Sequence, residues 1–171
     1  MDLKNKLRHV MDFPKEGIDF IDITTVLKDS EALKESLDGM REIIHSFGEF
    51  DLIVGPESRG FIFGAPLSYM MGKGFVPIRK KGKLPYKTIS VQYELEYGTD
   101  TLEMHEDAIE PGQRVVIVDD LLATGGTTGS NIQLVEKLGG KVVGIAYFIE
   151  LSFLNGRDKI NGYNVESLIK F

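Results

Sequence analysis

The chain has no cysteine and no tryptophan among its 171 residues. Without cysteine there are no disulfides, no thiolate metal sites and no Cys nucleophile. Its histidines, His9, His45 and His105, are scattered without metal-ligand spacing, so no histidine-built metal centre is expected. A Gly-x-Ser-x-Gly elbow is absent, which removes the usual serine-hydrolase arrangement. There is no Gly-x-Gly-x-x-Gly, and no lysine follows the glycines of the Gly125-Gly126 loop. A dinucleotide-binding Rossmann turn and a Walker A loop are therefore both unsupported. No apolar run is long enough to span a bilayer, and Met1 to Lys6 lacks the apolar core of a signal peptide. No membrane partner is expected, and the default location is cytoplasmic. A basic surplus is also missing. The net charge of −6 argues against a nucleic-acid partner.

What remains, 42% hydrophobic and 27% charged residues, is the composition of an ordinary globular protein. The length fits one domain, 1–171, with a sizeable core. The most informative stretch is Val115-Val116-Ile117-Val118-Asp119-Asp120-Leu121-Leu122-Ala123-Thr124-Gly125-Gly126-Thr127. Its β-branched run reads as a buried strand of a parallel sheet. Its glycines let backbone N–H groups approach an anion, and the helix expected next adds a favourable dipole. Thr124 and Thr127 offer hydroxyl donors. Two carboxylates, Asp119 and Asp120, repel phosphate and so should face sugar hydroxyls or magnesium on the same ligand. Alone, a Gly-Gly after a strand is an ordinary turn and an Asp-Asp at a strand end is a solvated pair. In this order and spacing they suit a ribose 5-phosphate.

A second charge feature lies upstream. Arg79, Lys80, Lys81, Lys83 and Lys87 fall in a segment with no acid. It reads either as a solvated loop or as a polyanion site, and the phosphate loop favours the latter.

Around these features strands and helices alternate. Leu3, Leu7 and Val10 have helical spacing, so a short N-terminal helix is expected. Asp12 to Thr25 reads as an extended segment with turns. Leu33, Leu37, Met40, Ile44 and Phe47 mark one face of an amphipathic helix, with Ser30 as N-cap and Gly48 as stop. Strands are expected at Asp51–Gly55, Phe75–Arg79, Val115–Val118 and Val142–Ile149, with a weaker one at Val165–Phe171. Helices are expected at Gly60–Met71 and Thr127–Leu138. Lys83 to Asp107 reads as a long hairpin or mobile excursion. The alternation favours a mostly parallel α/β sheet flanked by helices, with ligands at the carboxyl ends of the strands.

Seven collinear pieces resemble the adenine phosphoribosyltransferase family, within the type I phosphoribosyltransferases. They are Asp12-Phe13-Pro14, Gly17-Ile18-Asp19-Phe20, Asp22-Ile23-Thr24, Ser58-Arg59-Gly60-Phe61, Arg79 to Pro85, Leu95-Glu96-Tyr97-Gly98 and Asp119 to Thr127. The resemblance implies the type I fold, with a small N-terminal hood segment (about 1–28) and a flexible catalytic loop or hairpin (about 83–107). It implies transfer of phosphoribosyl from 5-phosphoribosyl 1-diphosphate to adenine, giving AMP and diphosphate in purine salvage. Mg2+ is the implied cofactor, carried mainly by the substrate diphosphate and ribose hydroxyls, with Asp119 or Asp120 in reach. A homodimer is the implied assembly.

Residue by residue, the resemblance assigns the 5′-phosphate to Ala123, Thr124, Gly125, Gly126 and Thr127, and the ribose hydroxyls to Asp119 and Asp120. Ser58, Arg59 and Gly60 match the diphosphate loop. A guanidinium suits that role because it grips two oxygens at once, and a cis peptide is expected before Arg59. Lys80, Lys81 and Lys83 match the basic stretch that meets diphosphate, partly across a dimer interface. Phe20 and Leu121 match the residues on the two faces of adenine. The Asp19 carbonyl and the Ile21 N–H match the groups reading its edge, although many relatives carry a basic residue where this chain has Ile21. Glu96 matches the glutamate handling the adenine imidazole proton, with Glu94 as the rival carboxylate. Two other readings stay open: a transferase for another base, and a binding regulator on the same fold that lacks catalysis.

Overall fold

The computed structural model describes residues 2–95 and 97–171. These divide into two compact units, Met1–Gly39 and Met40–Phe171.

In the first unit, β1 (Arg8–Met11) and β2 (Asp19–Asp22) form an antiparallel ribbon in which His9 faces Ile21 and Val10 faces Phe20. The helix expected from Leu3, Leu7 and Val10 is not formed. A single 3-10 turn at Lys4–Lys6 precedes β1. Pairing with a strand further along the chain outweighs the local helical spacing here. A short α1 follows at Thr24–Leu27, and α2 (Ser30–Ser46) begins in this unit. The helix cap is Asp29 rather than Ser30. Its carboxylate Oδ1 accepts from the N–H groups of Glu31 and Ala32, both at 3.1 Å, while Ser30 is already helical. A carboxylate there also meets the positive end of the helix dipole. Further along, Ala32, Ser36, Met40 and Ile44 form the most buried stripe of α2. Ser36 tolerates this because its hydroxyl donates to the Leu33 carbonyl at 2.7 Å. Gly48, at φ +84°, lies just past the helix end.

In the second unit, seven strands form one sheet in the order β5-β6-β4-β3-β7-β8-β9. They are β3 (Leu52–Pro56), β4 (Gly74–Lys80), β5 (Thr88–Glu94), β6 (Thr99–His105), β7 (Arg114–Leu122), β8 (Lys141–Glu150) and β9 (Val165–Lys170). The neighbours from β4 through β3, β7 and β8 to β9 run parallel, whereas β6 is antiparallel to both β4 and β5. Two helices, α3 (Arg59–Met71) and α4 (Gly126–Lys137), supply crossovers. The core along β7 and β8 is largely apolar: Val115 to Val118 and Ile145 to Phe148 are fully buried. Strands covered on both faces need such continuous apolar runs. The Lys83–Asp107 segment contains the β5–β6 hairpin, attached to the carboxyl end of β4 through the pairs Arg79–Glu103 and Lys80–Leu102.

Among the described residues, no helix is long and apolar enough to cross a membrane.

Candidate active site

Three chain segments converge at the carboxyl ends of β3 and β7. Pro56 to Arg59 leave β3, Asp119 to Leu121 end β7, and Ala123 to Thr128 run into α4. Together they line a cavity of about 240 Å³.

The loop after β7 is shaped by close backbone approach. Gly125 has φ +85° and caps α4 with no side-chain hydrogen bond. The first-turn amides of α4 have no intrahelical acceptor, so they and the dipole offer positive character without a charged side chain. Thr124 and Thr127 are exposed, whereas Gly125 is buried. Behind the loop, Thr128 Oγ1 is hydrogen-bonded to Tyr147 Oη inside the core, and burial raises the Tyr147 hydroxyl well above its ordinary pKa. Gly60, in the first turn of α3, stands where a Cβ would meet Asp119 Oδ1 at 3.1 Å and the Pro56 ring at 2.9 Å. Only glycine fits there without a shift.

Asp119 and Asp120 lie within β7, which runs on to Leu122 rather than ending at Val118 as expected from the sequence. Asp119 Oδ1 accepts from the Asp120 N–H at 2.8 Å. Asp120 is nearly buried and pairs with Arg59 Nε at 2.9 Å. Burial raises both carboxyls above their ordinary range. For Asp119 the neighbouring Asp120 charge adds to that rise, and for Asp120 the Arg59 guanidinium counters it. Two desolvated acids sharing one cation make a site short of positive charge, suited to hydroxyl donors or a hard cation. Among the described residues no group of three or more His, Asp or Glu side chains could hold a metal alone.

The basic stretch is arranged differently. The sequence segment has no acid, but the fold brings acids to it. Glu57 Oε1 accepts from the Lys80 N–H at 2.7 Å and lies 3.4 Å from Arg79 Nε. Its Oε2 accepts from Lys83 Nζ at 3.1 Å. Lys80 Nζ pairs with Asp100 of β6 and donates to Tyr93 Oη at 3.2 Å. The hydrogen bond to Asp100 holds the Lys80 ammonium above its usual pKa and the Asp100 carboxyl below its own. Lys80, Lys81 and Lys83 are not among the residues lining the cavity.

In the first unit, Asp19, Phe20 and Ile21 occupy β2. Phe20 is half-buried and meets Phe13 edge-on at 5.2 Å. Ile21 is buried, consistent with an aliphatic residue at that position. The Asp19 carboxylate pairs with His9 Nδ1 at 2.7 Å. Glu96 lies outside the described residues, and its neighbour Glu94 ends β5.

Residues 23–169 match the family described as phosphoribosyl transferase domain. An adenine phosphoribosyltransferase of Acetivibrio thermocellus is 77% identical over 171 residues, covering all of both chains. The chain belongs to the adenine phosphoribosyltransferase family. A crystal structure of the family from Thermoanaerobacter pseudethanolicus superposes with a TM-score of 0.94 at 56% identity, over 99% of this chain and 98% of that one. The Saccharomyces cerevisiae family member, solved with an imino-altritol bisphosphate and adenine, gives 0.93 at 40% identity, over 98% and 96%. The type I fold, with its mostly parallel sheet flanked by helices, is the one observed.

The cavity therefore brings together Ser58, Arg59, Asp119, Asp120, Leu121 and Ala123 to Thr127, with Gly60 beside them. The expected cis peptide is one bond earlier, at Glu57–Ser58. Sequence reasoning missed Glu57, whose partners lie more than twenty positions away, and the Gly156-Arg157 pair behind the loop. An Asn155-Gly156 turn dipeptide was the only local signal for the latter.

Proposed function

We infer that the chain transfers the phosphoribosyl group of 5-phosphoribosyl 1-diphosphate to adenine. The bond from the anomeric carbon to diphosphate breaks, a bond to the adenine imidazole nitrogen forms, and AMP and diphosphate leave. This is a purine-salvage reaction. The observation that carries the reading is the shared cavity of a cation-free phosphate loop and the Asp119–Asp120 pair. Few ligands other than a phosphorylated sugar want both.

On this reading the amides and hydroxyls of Ala123 to Thr127 bind the 5′-phosphate, and Asp119 and Asp120 orient the ribose hydroxyls. Ser58, Gly60 and Arg59 face the diphosphate. The two carboxylates fit a hard cation, so Asp119 or Asp120 would contribute to holding magnesium; when bound, Mg2+ neutralises charge on the leaving diphosphate. Lys80, Lys81 and Lys83 add charge to the diphosphate, Lys80 and Lys83 once released from Asp100 and Glu57. Phe20 and Leu121 are assigned to the adenine faces, and the Asp19 carbonyl and Ile21 N–H to its edge. That edge accepts the adenine amino group and rejects a keto group, because the wrong base would leave buried polar groups unpaired. Glu96 is assigned the imidazole proton. Positioning, charge stabilisation and water exclusion supply the rest. A homodimer is part of the proposal, and light scattering reads it directly.

The test is turnover with 5-phosphoribosyl 1-diphosphate and magnesium, offering adenine, hypoxanthine, guanine and orotate separately. Nucleotide from adenine alone is the expected result. Nucleotide from another base instead would assign a related transferase, and none from any base would favour a binding regulator. Within the active enzyme, Glu96→Gln should lower kcat by ~100- to 10,000-fold, with Glu94→Gln far milder. Equal losses would withdraw the Glu96 role.

A further inference from the structure

We propose that the Glu150–Arg157 ion pair is a positioning device for the phosphate loop, acting through Gly156 on Ala123 and Gly125. The inference rests on the functional reading above and adds residues that touch no ligand.

Glu150 ends β8 and faces Leu122 of β7 in the sheet register, the last pair before the loop. It is 5% exposed. Arg157 grips it bidentately, Nε to Oε1 at 2.7 Å and Nη2 to Oε2 at 2.8 Å. The same guanidinium donates through Nη1 to the Val165 carbonyl at 2.8 Å, and Ser167 Oγ donates to Glu150 Oε2 at 2.7 Å. A buried carboxylate is thus fully engaged, and its pKa lies below the usual range chiefly because of Arg157. The planar fork fixes direction as well as distance, which a lysine cannot reproduce.

The pair holds the Gly156–Ile160 3-10 segment against the back of the loop. Leu151 N–H donates to the Leu122 carbonyl at 2.9 Å, tying the start of this connection to the end of β7. A Cβ on Gly125 would come closer to the Gly156 carbonyl oxygen than the 3.0 Å that real Cβ atoms respect. A Cβ on Gly156 would do the same to the Ala123 carbonyl oxygen. Two backbones therefore meet with no side chain between them, and a shift of one is passed to the other. Arg157 does not line the cavity. Its influence on phosphate must run through the loop.

The experiment compares wild type, Arg157→Lys and Gly156→Ala by steady-state kinetics, and by calorimetric binding of ribose 5-phosphate. Arg157→Lys should raise KM for 5-phosphoribosyl 1-diphosphate roughly tenfold while KM for adenine stays within about twofold. Gly156→Ala should do so more strongly, and ribose 5-phosphate affinity should fall in parallel. Unchanged phosphate-ligand affinity in folded Arg157→Lys overturns the inference, as does an equal change in both KM values. If Arg157→Lys does not fold, Ser167→Ala is read in the same way. A wild type that turns over no base but binds ribose 5-phosphate sinks the activity and leaves this inference to the binding ratios. Wild type that binds none sinks both.

Discussion

Two regions of this chain offer positive character to phosphate, and they do so by opposite means. The loop Ala123 to Thr127 has no basic side chain; its charge is carried by backbone amides at the start of α4. The stretch Arg79 to Lys83 is rich in basic side chains, yet Arg79, Lys80 and Lys83 are each met by a carboxylate from elsewhere, Glu57 or Asp100. Backbone donors cannot be neutralised by a wandering acid and need no reorganisation when the ligand arrives. Lysine ammoniums on flexible stems can change partner. The loop is therefore a preorganised site, and the basic stretch is one that exchanges an internal acid for a ligand.

The comparison can be broken from the loop side first. Gly125→Ala should cost about 100-fold in kcat/KM for 5-phosphoribosyl 1-diphosphate, because the new Cβ collides with the Gly156 backbone. Kinetics under subsaturating sugar substrate would read it, and a loss below threefold would place the phosphate elsewhere. On the basic side, Lys80→Ala should cost roughly tenfold and reduce the salt dependence of KM, since a partly screened charge is removed. An ionic-strength series on both variants separates them: Gly125→Ala should keep the wild-type salt slope. Smaller still is a stability effect. Asp119→Asn should abolish sugar binding yet raise the thermal midpoint of the ligand-free protein by roughly 2–4 °C, the shift that about 1 kcal/mol gives at this size. The reason is that burial and Asp120 already disfavour its ionised form. The smallest effect is on acid stability. Glu150 has a folded pKa below its ordinary 4.5, so its contribution is present above that pH and fades as pH falls through the lowered value. Arg157→Lys should flatten the loss of stability below pH 4.5, measurable by denaturant titration across that window.

Legibility in the sequence followed the same division. The β-branched run Val115 to Val118 and the Gly125-Gly126 turn are local signals, and they placed β7, the loop and α4 with small boundary errors. The sheet was readable because buried parallel strands require apolar runs, as at Ile145 to Phe148. The N-terminal helix expected from Leu3, Leu7 and Val10 failed because β1 owes its form to β2, whose residues pair with it from Met11–Asp19 out to Arg8–Asp22, a partnership that no periodicity reports. The helix cap moved from Ser30 to Asp29 because the donors of Glu31 and Ala32, not residue preference, select it. Glu57, Asp100 and Arg157 were invisible for the same reason. Their importance lies in partners more than five positions away, and only the fold brings those partners within hydrogen-bonding distance.

The most direct test of a preorganised phosphate loop is amide NMR of the protein titrated with ribose 5-phosphate. The account predicts the largest shifts at Gly125, Gly126, Thr127 and Thr128, with little change at Lys80 to Lys83. Shifts centred on Lys80 to Lys83, with the loop amides unmoved, would contradict it.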